Sequence, residues 1–209
     1  MNNEKNSINN ALSPIEEYGV YFLNGEVNFK STGDLIRFIL SSNLNHNSSL
    51  DHLTLFINSP GGICSAGFAL IDVMFGSKIP IKTVGIGMIA SMGLQIFLAG
   101  EKGSRTLTPN CLILSHQFSG GQFGKEHELV AGQKRYTHVS DMMMRHYIRT
   151  TGMSKEDIKK YLLPAQDVWL TPKEAKKFGI CDVIKDLKPN IYFNESKLIK
   201  KNKMSKSKK

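Results

Sequence analysis

The chain has 209 residues, 41% of them hydrophobic, which suffices for one domain with a sizeable core. Its formal charge is +9, but seven lysines fall in the last thirteen residues with no acid and no aromatic among them; removing their charge leaves +2 for residues 1–196, the balance of a solvated tail rather than of a nucleic-acid-binding surface. No run reaches the roughly 20 apolar residues of a membrane span, and the first residues lack the basic-then-apolar order of a secretory signal.

Residues 1–13, rich in asparagine, serine and charge, are expected to be disordered within a polar segment of 1–16. Gly19–Leu23 has strand composition. Ser31 with Asp34 resembles a capping box, followed by Leu35, Ile36, Ile39 and Leu40 at helical spacing. Residues 41–50 read as a polar loop, and Leu53–Ile57 as a second strand that breaks at Pro60-Gly61-Gly62. A helix is expected over Ser65–Phe75, a strand over Ile81–Ile86 and a helix over Ser91–Leu98 closed by Gly100. Arg105–Ser115 holds a fourth strand at Leu112–Leu114. A glycine-rich stretch, Ser119–Gly124, precedes a long helix from Lys125 to Thr150. Ser154 with Asp157 opens another helix, and Thr171-Pro172-Lys173-Glu174 joins a cap, proline at N1 and glutamate at N3. Gly179 ends that helix, and a strand follows at Cys181–Ile184. Strand–helix alternation of this kind predicts parallel crossovers and an α/β layered fold.

Serine hydrolysis needs a nucleophile, a base beside it, a group to orient the base, and donors for the oxyanion. Ser91 lies among small residues where an apolar run turns into a helix, beside the free N–H groups of a first helical turn. His116 follows the strand Leu112–Leu114, and in a parallel sheet both would emerge at the carboxyl edge. Asp167 precedes Val168-Trp169-Leu170 and is placed to hold the imidazole tautomer. The Gly61-Gly62 turn lets a substrate backbone approach closely and leaves its amides free to point outward. The bland reading of Ser91 is a helix cap. His46, His52, His127, His138 and His146 show no metal spacing, and those on the long helix are expected at its surface or at a subunit contact. Cys64, Cys111 and Cys181, without any CxxC pattern, read as small core residues of a reducing compartment, and the Met142–Met144 cluster as packing. No metal site is expected.

Phe56-Ile57-Asn58-Ser59-Pro60-Gly61-Gly62, Ala66-Gly67, Ala90-Ser91-Met92-Gly93, His116-Gln117 with Gly120-Gly121, and Leu170-Thr171-Pro172-Lys173-Glu174-Ala175 with Phe178-Gly179-Ile180 together resemble the proteolytic subunit of Clp protease. The similarity spans roughly residues 17–186. It implies the Clp/crotonase-like α/β fold of repeated β-β-α units, with a peptidase domain over 17–187, a helical handle about 122–150, and a basic tail over 188–209. Carried over, Ser91 is the nucleophile, His116 the general base and Asp167 the orienting acid. The N–H groups of Gly62 and Met92 are the oxyanion donors, while Gly61, Ile63, Gly120, Gly121 and Gln122 lie along the substrate.

The resemblance also implies a heptameric ring of this chain, stacked in pairs as a tetradecamer, that degrades unfolded polypeptides. An AAA+ Clp-type unfoldase would feed it; ATP is spent by that partner, and this chain needs no cofactor. The setting would be cytoplasmic or an organelle stroma or matrix, with no membrane or specific nucleic-acid partner. Where the family has an Asp-Arg pair implicated in ring-to-ring contact, this chain has Ala165-Gln166 in a longer segment before Asp167. Two other readings compete with the serine peptidase: a catalytically inactive structural or regulatory ring subunit, and a crotonase-like acyl-CoA enzyme using backbone donors on a thioester.

Overall fold

Parallel strands covered by helices form the body of the protein, described here from a computed structural model over residues 15–45 and 50–188. The N-terminal segment expected to be disordered, the middle of the expected 41–50 loop, and the lysine tail beyond residue 188 lie outside the described residues. In chain order the elements are β1 (Val20–Asn24), α1 (Phe29–Leu44), β2 (Leu53–Ser59), α2 (Cys64–Gly76), β3 (Ile81–Ala90), α3 (Met92–Leu98), β4 (Thr106–Leu107), β5 (Leu112–Ser115), α4 (Glu126–Thr151), α5 (Lys155–Tyr161), β6 (Val168–Leu170), α6 (Pro172–Lys177) and β7 (Val183–Ile184). The sheet runs β1-β2-β3-β4-β7, every pair parallel. β3 is long enough to take two neighbours on one side: Val84 and Gly85 pair with β4, while Met88–Ala90 pair with β5. β6 then adds antiparallel to β5.

The expected α/β layering is present, with local differences that have physical causes. α1 is capped by Asn28 rather than by Ser31. Asn28 is extended, its Oδ1 accepts the N–H groups of Lys30 and Ser31, and Ser31 Oγ returns the favour to the Asn28 N–H, all at 3.0 Å. The true capping box is therefore Asn28/Ser31, and Asp34 instead pairs with Lys30 and Arg37 on the exposed face. At the far end, Ser41–Leu44 remain helical, so the loop begins later than composition suggests. The expected single strand in Arg105–Ser115 is two, β4 and β5, and of Cys181–Ile184 only Val183 and Ile184 pair.

Between β2 and β3 the register jumps from Ile57↔Gly85 to Ser59↔Ile89, a bulge. Asn58 fills it: its Oδ1 accepts the Met88 N–H at 3.1 Å, and its Nδ2 donates to Asn24 Oδ1 at 2.8 Å. Gly87 has φ +59, and a Cβ there would stand 2.7 Å from Asn58 Oδ1, so only glycine suits the position. The bulge turns the last residues of β3 toward β5, which is how Ser91 reaches the end of β5.

β2 is buried at every position but Phe56 and Asn58, as expected for a parallel strand covered on both faces. α3 is buried at all seven residues, so it has no solvent face and no need of a polar stripe. α4 packs Met143, His146, Tyr147 and Thr150 inward. His146 is thus a core residue, contrary to the surface or contact position expected from sequence. It is 6% exposed, flanked by Phe68 and Phe75, with Nε2 2.8 Å from the Gln95 carbonyl oxygen. Since a carbonyl only accepts, Nε2 carries the proton.

Burial pushes the His146 imidazole down to about 4, Arg149 adding to the effect and the Gln95 carbonyl and Asp72 opposing it. In the unfolded chain the ordinary value of 6.5 returns. The unfolded state therefore binds the extra proton first, and stability, complete above pH 6.5, is lost as the pH falls from 6.5 toward 4. The expected loss is about 3 kcal/mol. Urea unfolding across that pH range should show it, and His146→Leu should flatten the profile; an unchanged slope in the variant would mean another group is responsible.

Candidate active site

Ser91 joins β3 directly to α3, and its backbone has φ 53 and ψ −121. Among the described residues it is the one non-glycine residue with positive φ. Such strain persists only where surrounding structure enforces it. Here the Ser91 N–H is tied to the Leu114 carbonyl at 3.0 Å, and the Ser91 carbonyl takes the N–H groups of Leu94 and Gln95. The sharp strand-to-helix turn presents the hydroxyl as a nucleophile elbow does. The side chain makes no cap bond to α3, so the helix-cap reading of this serine fails.

Gly61 packs beneath the turn. A Cβ on it would lie 2.6 Å from Ser91 Cβ and 2.8 Å from the Met92 nitrogen, so a side chain there would displace the serine. Gly62 has φ 146, and a Cβ on it would meet the Val27 carbonyl oxygen at 2.3 Å. Val27 holds the turn from the other side, donating to the Gly61 carbonyl and accepting from the Ile63 N–H, each at 2.8 Å. That pattern leaves the Gly62 N–H without an acceptor among the described residues. The Met92 N–H, in the first turn of α3, is likewise unclaimed. Both residues line one cavity of about 460 Å³ together with Ile63, Ser91, Gln95 and His116.

His116 follows β5, and the β3–β5 pairing Ala90↔Leu114 brings Ser91 and His116 to the same carboxyl edge. The antiparallel register Leu114↔Trp169 and Ser115↔Val168 continues to set Asp167 opposite His116. In this structure the two do not hydrogen-bond: His116 Nδ1 lies 2.6 Å from the Gln117 carbonyl oxygen, and Asp167 is exposed. Asp167 is also absent from the cavity lining. The structure therefore brings Ser91, His116, Gly62 and Met92 to one cavity and leaves Asp167 outside its lining.

The residues expected along the substrate divide. Ile63 lines the cavity, whereas Gly61 supports Ser91 from below. Gly120 and Gly121 are exposed and lie beyond the lining, which ends at Phe118 and Ser119. Gln122 is turned to α4, its amide donating to the Glu128 carbonyl.

Beneath the site runs a buried polar chain that sequence reasoning missed. Ser115 Oγ lies 2.6 Å from the Leu162 carbonyl and 2.7 Å from the Tyr147 hydroxyl. Burial pushes that hydroxyl up to about 12, against the lowering effect of Ser115 and Gln95, so Tyr147 keeps its proton. The chain ties β5, just before His116, to α4 and to the segment that leads to Asp167. Its only sequence trace is a serine at an inward strand position before His116.

Comparison with known proteins gives the family. The family model described as Clp protease matches residues 3–188. A protein of Ostreococcus tauri named "ATP-dependent Clp protease proteolytic subunit" is 35% identical over 132 residues, a stretch covering 63% of this chain and 65% of that relative. With a strained Ser91 beside His116 and two unclaimed N–H groups, and a family match over nearly all the chain, the protein belongs to the Clp protease family.

Proposed function

We propose that the chain is a serine endopeptidase subunit of a ring-shaped, self-compartmentalising protease. The observation that carries the reading is the strained Ser91 turn opening into the cavity that also holds His116 and the N–H groups of Gly62 and Met92. Ser91 Oγ attacks the peptide carbonyl while His116 takes its proton and returns it to the leaving amine. The resulting oxyanion sits between the N–H groups of Gly62 and Met92, and water then releases the acyl-enzyme. Asp167 orients His116 after the imidazole turns from the Gln117 carbonyl toward it, a rotation that the opposing register supports. The described helices include none long and apolar enough to cross a membrane.

The peptidase domain spans 17–187 on this reading, with α4 as the handle between subunits. Partners are further copies of the chain, a Clp-type ATPase that spends the ATP, and unfolded polypeptide as substrate. The inactive-subunit reading draws on the missing His116–Asp167 bond, but it leaves the Ser91 strain without a purpose. The acyl-CoA reading has no use for a serine at that turn.

Fluorophosphonate labelling of the purified chain, with the adduct mapped by peptide mass, tests the proposal alongside native mass spectrometry. Adduct on Ser91 in a seven- or fourteen-subunit particle is expected. An assembled ring without label at Ser91 would establish the inactive subunit instead.

A further inference from the structure

Gln95 lies one helical turn beyond Ser91 and lines the same cavity, yet it is 1% exposed, and its carboxamide, which stands beside the Tyr147 hydroxyl, makes no well-formed hydrogen bond there or elsewhere among the described residues. A buried carboxamide without partners is costly, and native structures rarely keep one without a use. Neighbouring hydroxyls do not resolve it. The Leu162 carbonyl only accepts, so the single Ser115 proton goes to Leu162. The Tyr147 hydroxyl must then donate its own proton to Ser115. No hydroxyl proton is left for Gln95 Oε1, and Tyr147 can at most accept from Nε2. The cavity lining also includes the apolar Met92, Phe118, Val139 and Met143, and its polar members Ser65, Ser119 and Arg135 make no hydrogen bond to the Gln95 carboxamide.

Any residue whose carbonyl is attacked by Ser91 must carry its side chain next to that serine, on the wall of this cavity. Resting on the peptidase reading above, we infer that Gln95 makes the cavity select, on the acyl side of the cut bond, a residue ending in a neutral hydrogen-bond donor, with the carboxamide of glutamine or asparagine the best match. Its N–H groups supply the donor that Oε1 lacks, its oxygen can accept from Nε2, and its methylenes lie against the apolar walls. A lysine would also donate, but it would bring an ammonium against a carboxamide that is almost fully removed from water, at a high desolvation cost.

The test uses the full chain in its native assembly and fluorogenic peptides alike except at that residue, glutamine against methionine, which is similar in length and shape but lacks the donor. In wild type the ratio of kcat/KM for glutamine over methionine should exceed that in Gln95→Leu by about tenfold, the worth of one well-placed neutral hydrogen bond. Gln95→Met, closer in volume, should show the same fall and guards against a packing defect in the leucine variant. An identical ratio in wild type and both variants, with cleavage continuing, would overturn the role of Gln95 and leave the peptidase reading standing. Wild type that cuts neither peptide and takes no label at Ser91 would overturn the peptidase reading, and this inference with it.

Discussion

Ser91→Ala is expected to lower peptide hydrolysis by roughly 10⁴- to 10⁶-fold while leaving the protein as stable as before. The first half follows from the proposed chemistry: without Oγ there is no covalent intermediate, and only the oxyanion donors and binding remain. The second half follows from geometry. A serine acting as a helix cap costs about 1 kcal/mol when replaced by alanine, but Ser91 makes no side-chain cap bond to α3. Its backbone strain is carried equally by alanine, which has the same Cβ. Single-turnover kinetics on a short peptide, paired with urea unfolding, separates the two effects. Full activity in the variant would remove Ser91 from the mechanism; a loss of stability matching the loss of activity would make the residue structural.

Asp182→Ala is expected to cost about 3–5 kcal/mol of stability, the usual penalty for orphaning one member of a buried ion pair. Arg105 is 2% exposed at its side chain and meets Asp182 through Nη2 to Oδ1 at 2.7 Å and Nε to Oδ2 at 2.9 Å. The same carboxylate accepts the N–H groups of Gly103 and Arg105, and the third nitrogen, Nη1, donates to the Thr150 carbonyl at the end of α4. One guanidinium therefore ties β4, the start of β7 and the end of α4 together. Burial alone would raise the Asp182 carboxyl, but the hydrogen bonds and charge of Arg105, with the Gly103 N–H, outweigh it and hold the group below its ordinary 3.8. Its contribution is present above pH 3.8 and disappears as the pH falls through the lower folded value. That window lies below the one set by His146, so the two losses should appear as separate steps in an acid unfolding series. Removal of Asp182 should shrink the lower step, to which the lowered carboxyls of Asp34 and Glu174 also contribute, and leave the upper one. Unfolding free energy unchanged in Asp182→Ala would show that Arg105 finds equivalent partners.

Much of this was legible in the chain. Alternating apolar runs and capped helices predict parallel crossovers because strand and helix periodicities are local properties, and Thr171/Glu174 form the expected capping box for the same reason. Ser91 and His116 stood out because each closes an apolar strand, and parallel strands deliver their ends to one edge. Other features were invisible for equally physical reasons. Asn28 captured the cap from Ser31 through a backbone angle that no spacing rule contains. β6 is three residues long, too short for periodicity to declare, yet its antiparallel register is what sets Asp167 opposite His116. His146 read as a histidine at the surface or a subunit contact of a polar helix; only the packing of α4 over α2 and α3 buried it.

The sequence by itself determined most of the order of elements, the Gly61-Gly62 turn, the family and the two residues proposed as nucleophile and base, since these depend on local composition and on motifs that hold together along the chain. Tertiary structure decided the rest. It alone strains Ser91, closes the turn with Val27, and leaves the Gly62 and Met92 N–H groups without acceptors among the described residues. It also commits the protons of Ser115 and Tyr147 so that Gln95 is left unpaired at the cavity wall. The physical reason is that hydrogen-bond satisfaction and burial are properties of neighbours brought from distant segments, and nothing in the chain's own order records which donors those neighbours have already spent.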